Sequence, residues 1–446
     1  MTSLYETLCE QAASVAEVRD MYFGSDKQSK LSSQIAEGMG ATEAGKASNE
    51  LDKGQVLALQ GMFLNGAESY DAAAEEALGG AVKLLPEDVR VWNALGEVYW
   101  KKKEFAAAAE AFQSALEVED NPASLRALSM VERQLPGSAA ERRAHVASSV
   151  AHAKRATAHD VTVGASWYSL GNAYLTQFFT SQAVADLADA LKAYGRAQAA
   201  GYDAHPDLHF NRGHVYKYML RYQEAYLGFR TAHSLDPTWD AAAALATELA
   251  ADMAAVQSLM DSKAGLKEKK IKAKAASLTP LTILRDRANV ELTALQVGPN
   301  PAGAVAVKVV GTVSRSNNIP QTFVVLDTAA TFYTLSIYNM QVGALNIDDE
   351  IWITDPFVCA VAFDPNAPID APDSDDASPP PPSKGKGKED DEEAGSSSSP
   401  ASASPDSVQY LTIRVDKPNE LWINGRSVEA RGGIEAQVSL NFEANA

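Results

Sequence analysis

At 446 residues the chain is long enough for two or three domains, each with its own core. A formal charge of -19 argues against general nucleic-acid binding, which needs a net basic face, and leaves RNA contact only to a local cluster. Two cysteines, Cys9 and Cys359, supply neither a disulfide framework nor a four-ligand zinc site. The N-terminal MTSLYETLCEQAAS has no basic n-region or apolar h-region, and no run approaches the ~18 apolar residues of a membrane span. No membrane partner is therefore expected, and the expected address is cytoplasmic, nuclear, or both.

In chain order, residues 2–23 read as a capping helix. Between 54 and 87 a pattern runs through Leu57, Gly61, Leu64, Ala74, Leu78, Ala81 and Pro86. It returns from 89 to 122 as Trp92, Leu95, Gly96, Tyr99, Ala108, Phe112 and Ala115, the signature of the tetratricopeptide repeat (TPR). The first members share one face of a first helix and the last three a facing stripe of a second, with Gly96 and Ala108 small enough for close approach. Stretches 123–135 and 139–158, separated by Pro136 and Gly137, have the length of a further hairpin. After 164 the pattern reads Trp167, Leu170, Gly171 and Tyr174, then Ala190, Tyr194 and Ala197 after an insertion. From 206 to 239 it reads Gly213, Tyr216, Ala225, Phe229, Ala232 and Pro237, and 240–262 reads as a second cap.

Beyond Pro280 the period changes from that of a helix to 2. AVAVKVVGTV (304–313), TFVVLD (322–327), FYTLSIYN (332–339), EIWITD (350–355), VQYLTIRVD (408–416) and ELWINGRSV (420–428) are short β-rich runs, with Asn424-Gly425 as a turn signal. Five or six such strands suit an OB-like barrel. The expected fold is thus mainly α, a TPR superhelix over 1–262, followed by a basic hinge over 263–279 and a small all-β OB-like barrel over 280–363 and 407–446. An acidic Pro/Ser-rich insertion over 364–406 interrupts the barrel and is expected to be disordered.

No nucleotide-binding, nucleophile-elbow or zinc-protease motif occurs, so neither an enzyme nor a cofactor is expected, and no catalytic residue is assigned. His205, His209 and His214 lie close in sequence, but His209 occupies the slot of Trp92 and Trp167 and is expected to pack; no metal site is assigned. The expected barrel strands carry few basic residues, which favours protein contact over single-stranded nucleic acid. Lys263, Lys267, Lys269, Lys270, Lys272 and Lys274 form the one basic cluster, readable as a solvated helix, an import signal or a phosphate contact. Charged residues off the signature positions, Arg133, Asp207, Arg212 and Asp240, are candidates for clamping a peptide that carries both signs of charge.

WNALGEVYWKK (92–102), LSMVERQL (128–135), SWYSLGNAYL (166–175), HPDLHFNR (205–212) and SLDPTW (234–239), with the β region after them, resemble the tetratricopeptide repeat protein 5 (Strap) family over nearly the whole chain. The resemblance implies an adaptor with two activities. One is recognition of the Met-Arg-Glu start of nascent tubulin at the ribosome, which triggers co-translational tubulin mRNA decay (tubulin autoregulation) through mRNA-decay adaptor proteins. The alternative is a nuclear, stress-responsive transcription cofactor that binds an acetyltransferase coactivator. The family's groove residues carry over to Arg133, expected to pair the peptide's Glu, and to Asp207 and Asp240, expected to pair its Arg. The ribosome-contacting lysines carry over to Lys267 and Lys269, with Lys270 beside them. Asp240 departs from the family's Glu, and the acidic insertion is not part of its pattern. A chaperone-tail binder would need a basic carboxylate clamp at repeat spacing, for which no compelling set of Lys and Asn is present.

Overall fold

The computed structural model describes residues 3–278, 287–313, 320–340, 343–369, 407–418 and 421–428. The chain forms two compact units, Met1–Val215 with Thr231–Asp240, and Tyr216–Arg230 with Ala241–Ala446. Among the described residues no helix is long and apolar enough to cross a membrane.

The first unit is helical: α1 (Leu4–Met21), α2 (Lys27–Ala47), α3 (Lys53–Asn65), α4 (Ala72–Leu84), α5 (Val89–Lys101), α6 (Phe105–Val118), α7 (Pro122–Glu132), α8 (Ala139–His159), α9 (Gly164–Ser181) and α10 (Val184–Ala197). Local chemistry sets the starts. Asp52 and Ser138 form capping boxes with Gln55 and Glu141, Asp71 and Asp88 accept from the first-turn amides, and Asn121 caps α7 with Pro122 at its first position. Successive helices pair as hairpins from α3·α4 to α9·α10, and the first helix of each pair also packs on the first helix of the next. The signature glycines explain the closeness: a Cβ at Gly61 would sit 2.4 Å from Leu78, at Gly96 2.6 Å from Phe112, and at Gly171 2.4 Å from Tyr194. The unsigned stretches expected as a hairpin are indeed α7 and α8. Helix α2 was not anticipated; it buries Leu31 and sets Gly38 under the Phe63 ring, without any repeat signature.

One slot repeats across three hairpins. The indole Nε1 of Trp92 donates to the Pro86 carbonyl at 2.8 Å, that of Trp167 to Val161 at 2.8 Å, and His209 Nε2 meets the Asp203 carbonyl at 2.7 Å. His209 therefore does the work of the two tryptophans: a flat ring packs and its nitrogen closes the preceding loop.

Helices α11 (Pro206–Tyr218) and α12 (Tyr222–Leu235) are each shared between the units; the second unit continues with α13 (Asp240–Asp261, from Ala241) and α14 (Glu268–Ala276). Its strands are β1 (Ala288–Asn289), β2 (Gly298–Pro299), β3 (Gly303–Thr312), β4 (Gln321–Leu326), β5 (Phe332–Ile337), β6 (Glu350–Thr354), β7 (Phe357–Phe363), β8 (Val408–Val415), β9 (Trp422–Ile423) and β10 (Arg426–Ser427). β3, β4 and β5 form an antiparallel meander, β5 pairs in parallel with β8, and β8 pairs antiparallel with β7. β6 returns to β3. Only Asp355 and Pro356 separate β6 from β7, so the two are halves of one bent strand whose ends pair with β3 and β8, and the sheet closes on itself in OB order. β7 was not read as a strand from sequence because Pro356 breaks the run. The predicted Asn424-Gly425 turn joins β9 to β10 with φ of 50° and 78°, as a type I′ hairpin requires.

Val305, Val307 and Val309 point into the barrel core. The opposite face of β3 and β4, with Val310, Val324 and Leu326, is covered by Leu259, Met260, Ala264, Leu266, Ala275 and Leu278 from α13, α14 and their flanks. The segment expected to be a hinge thus contains a helix packed on the barrel. Of the insertion, 370–406 lie outside the described residues. Its first residues are held by α12: the Asp364 amide donates to Gln223 Oε1 at 2.6 Å, Tyr226 Oη to the Pro365 carbonyl at 3.1 Å, and Arg230 Nη1 to the Ala367 carbonyl at 2.9 Å.

Candidate functional site

The first helices α7, α9 and α11 bring two of the four groove charges singled out from sequence, Arg133 and Asp207, within electrostatic reach of one side chain, Tyr168. Arg133 follows α7 in helical conformation, and among the described residues its Nη1 reaches the Ser129 carbonyl and hydroxyl, each at 3.3 Å. Its neighbour Glu132 is already engaged, by Ser148 Oγ at 2.6 Å and His152 Nδ1 at 3.0 Å. Arg126, seven residues earlier, donates to Ser166 Oγ at 3.3 Å. Burial lowers the pKa of both guanidinium groups, and among the described residues neither has a carboxylate at ion-pair distance.

Asp207 lies in the first turn of α11. A helix N-terminus and its own amide favour its ionised form, yet burial outweighs them and, with Asp236 and Asp20 in electrostatic reach, pushes its pKa up to about 6. Among the described residues no Lys or Arg pairs with it.

Tyr168 of α9 lies in electrostatic reach of both Arg133 and Asp207. Its hydroxyl accepts from Asn211 Nδ2 at 2.9 Å; Asn211 also donates to Asn172 Oδ1 at 3.2 Å, which accepts from Tyr194 Oη at 2.7 Å. The Tyr168 ring stacks on Tyr202 at 5.0 Å, and Tyr202 stacks on His205 at 3.5 Å. Burial raises the phenol pKa of Tyr168 and Tyr202 and lowers that of the His205 imidazole, so this floor is uncharged at neutral pH. The arrangement is a neutral, hydrogen-bonded aromatic cluster in reach of two charges of opposite sign that lack an ion-pair partner among the described residues. It suits a ligand that carries both signs.

The other candidates stand elsewhere. Arg212 is buried and donates to Gln198 Oε1 at 2.5 Å, bracing the irregular turn Gln198–Tyr202. Asp240 is exposed at the start of α13; no contact among the described residues links it to Arg133 or Asp207, and its tie to α11 runs through Trp239 on Phe210 at 4.3 Å. Asp236, Asp20, Arg126, Tyr168 and Tyr202 were not singled out from sequence.

In the second unit Lys267, Lys269 and Lys270 are exposed on the outer face of α14, with Lys263 in the turn before it. Lys272 pairs with Glu268 at 3.6 Å and Lys274 with Asp348, whereas these four have no carboxylate partner among the described residues. Ile271 and Ala275 on the buried face anchor the helix.

The family described as the tetratricopeptide repeat protein 5 OB fold domain matches residues 287–369, and the tetratricopeptide repeat matches 89–122. The tetratricopeptide repeat protein 5 of Bos taurus is 39% identical over 321 residues, covering 68% of this chain and 73% of that protein. The Homo sapiens protein is 38% identical over 323 residues, with 68% and 73% covered.

Proposed function

The chain belongs to the tetratricopeptide repeat protein 5 family of protein-interaction adaptors, and we propose that its Arg133–Asp207 groove reads the Met-Arg-Glu start of nascent tubulin at the ribosome. The observation that carries the reading is the uncompensated pair, a half-buried guanidinium and a half-buried carboxylate both in electrostatic reach of Tyr168. Folding has already desolvated both charges, so a peptide that supplies the missing partners gains two charge-assisted bonds without that cost. The peptide's Glu pairs with Arg133. Its Arg pairs with Asp207, with Asp240 at the end of the same acidic loop as Asp236.

Lys267, Lys269 and Lys270 present an exposed row suited to phosphate, and we assign them the ribosomal RNA contact. Bound to both peptide and ribosome, the adaptor recruits mRNA-decay factors in the cytosol, completing tubulin autoregulation. Ribosomes stalled with Met-Arg-Glu-Ile exposed should co-sediment the full chain, and those exposing Met-Glu-Arg-Ile should not. Equal co-sedimentation would overturn the reading.

A further inference from the structure

Several half-buried basic residues of the array pair with a carboxylate, Arg19 with Glu97 at 2.6 Å, Lys27 with Glu68 at 2.7 Å and Lys102 with Glu75 at 2.9 Å, and Lys101 is met by the Asn65 and Ala67 carbonyls. Acidic residues outnumber basic ones 58 to 39 in the chain, so partners are plentiful. Among the described residues Arg126 nonetheless has the Ser166 hydroxyl, at 3.3 Å, as its one side-chain partner. Arg133 has a similar environment: the Ser129 hydroxyl and carbonyl at 3.3 Å, tyrosines within electrostatic reach, and no paired carboxylate among the described residues. A half-buried, unpaired guanidinium is costly, and two on one helix mark a surface built for more than one anion.

Seven residues separate them, two helical turns, so they share one face of α7 about 10.5 Å apart along its axis. An extended or polyproline-like peptide advances about 3.1–3.4 Å per residue. The spacing therefore corresponds to about three residues of ligand, or two to four once side-chain reach is counted. We propose that Arg126 is a second anion subsite, for a carboxylate two to four residues beyond the one held by Arg133. The proposal rests on the reading that the peptide's Glu sits at Arg133. Only two residues precede that Glu in Met-Arg-Glu, so the second acid lies on its C-terminal side, at position 5, 6 or 7 of the nascent chain. The ligand class widens from a three-residue start to starts that carry a further acidic residue.

The test measures binding of fluorescent Met-Arg-Glu-Ile peptides to the full chain by polarisation, with Gln or Glu at positions 5, 6 and 7. One charge-assisted contact should tighten binding about tenfold at the best position. In Arg126→Met that gain should fall below twofold or reverse, because the chain's net charge of -19 repels an added acid. Arg126→Lys, which keeps the charge and loses the fork, should retain part of the gain and controls for folding. A Glu that brings no gain at any position, or a gain that persists in Arg126→Met, overturns the second subsite while the parent reading stands on the all-Gln peptide and its loss in Arg133→Ala. Failure of the all-Gln peptide to bind overturns both.

Discussion

Asp207→Asn removes a charge while keeping the shape of the side chain, and it should separate stability from function. The folded carboxyl titrates at about 6 against an ordinary 3.8. The sign is opposite to that of an ion-paired aspartate: the folded state holds this proton more tightly than the unfolded chain, so Asp207 weakens the fold progressively as pH rises from about 4 to 6. At pH 7.5 the ionised carboxylate costs up to ~3 kcal/mol, and at pH 5 about half of that. Solvent at the half-buried group makes these upper figures. The substitution should therefore raise the urea midpoint of the full chain at pH 7.5, raise it less at pH 5, and abolish binding of the Met-Arg-Glu-Ile peptide at both. A variant that unfolds more readily at pH 7.5, or a gain that does not shrink at pH 5, would refute the argument that burial is uncompensated at Asp207.

The same titration governs binding in the unsubstituted chain: pairing with the peptide's Arg requires the ionised form, so affinity should be about tenfold weaker at pH 5 than at pH 7.5 by calorimetry, with the dependence absent if Asp207 is already ionised at pH 5. Gly171→Ala places a methyl 2.4 Å from the Tyr194 ring. It should cost ~1–3 kcal/mol in urea denaturation and weaken peptide binding, since Tyr194 holds Asn172 under Tyr168. Arg414 pairs with Asp416 at 2.8 Å and donates to the Tyr218 carbonyl at 2.9 Å within the second unit. Arg414→Met should leave Asp416 without this ion pair and the Tyr218 carbonyl with the Tyr338 hydroxyl alone among the described donors, and limited proteolysis of the β region should speed up accordingly. Reversing Lys267, Lys269 and Lys270 to Glu should weaken ribosome co-sedimentation and flatten its salt dependence, while binding of the isolated peptide stays unchanged.

The fold was legible where physics leaves a spaced mark. Gly61, Gly96 and Gly171 announce close helix contacts, and His209 in the slot of Trp92 and Trp167 was readable as a packing ring; its loop-closing bond fits that reading. Helix α2 lacked such a mark, because its packing relies on Leu31 and on Gly38 beneath a ring from another helix. β7 was hidden by Pro356, which bends a strand where sequence reading ends one. The site was less legible. From residues alone Arg133 and Asp207 were two charges among several off the signature positions, and only the family resemblance selected them. Aromatic residues default to core, so Tyr168 was passed over. Its position one residue after the signature Trp167, about 100° round the helix, was the available signal that it faces away from the hairpin interior. Asp236 and Asp20 act through space on Asp207, and no local pattern in the sequence foretells that.

The central claim is that Arg133 and Asp207 together read a peptide of both charges. Polarisation of a fluorescent Met-Arg-Glu-Ile peptide, against the full chain, Arg133→Ala and Asp207→Ala, with Met-Glu-Arg-Ile beside it, tests this directly. The account predicts binding to the unsubstituted chain, a loss of ~2–5 kcal/mol for each substitution, and no binding of the swapped peptide. Equal affinity for the substituted chains, or for the swapped peptide, would contradict it.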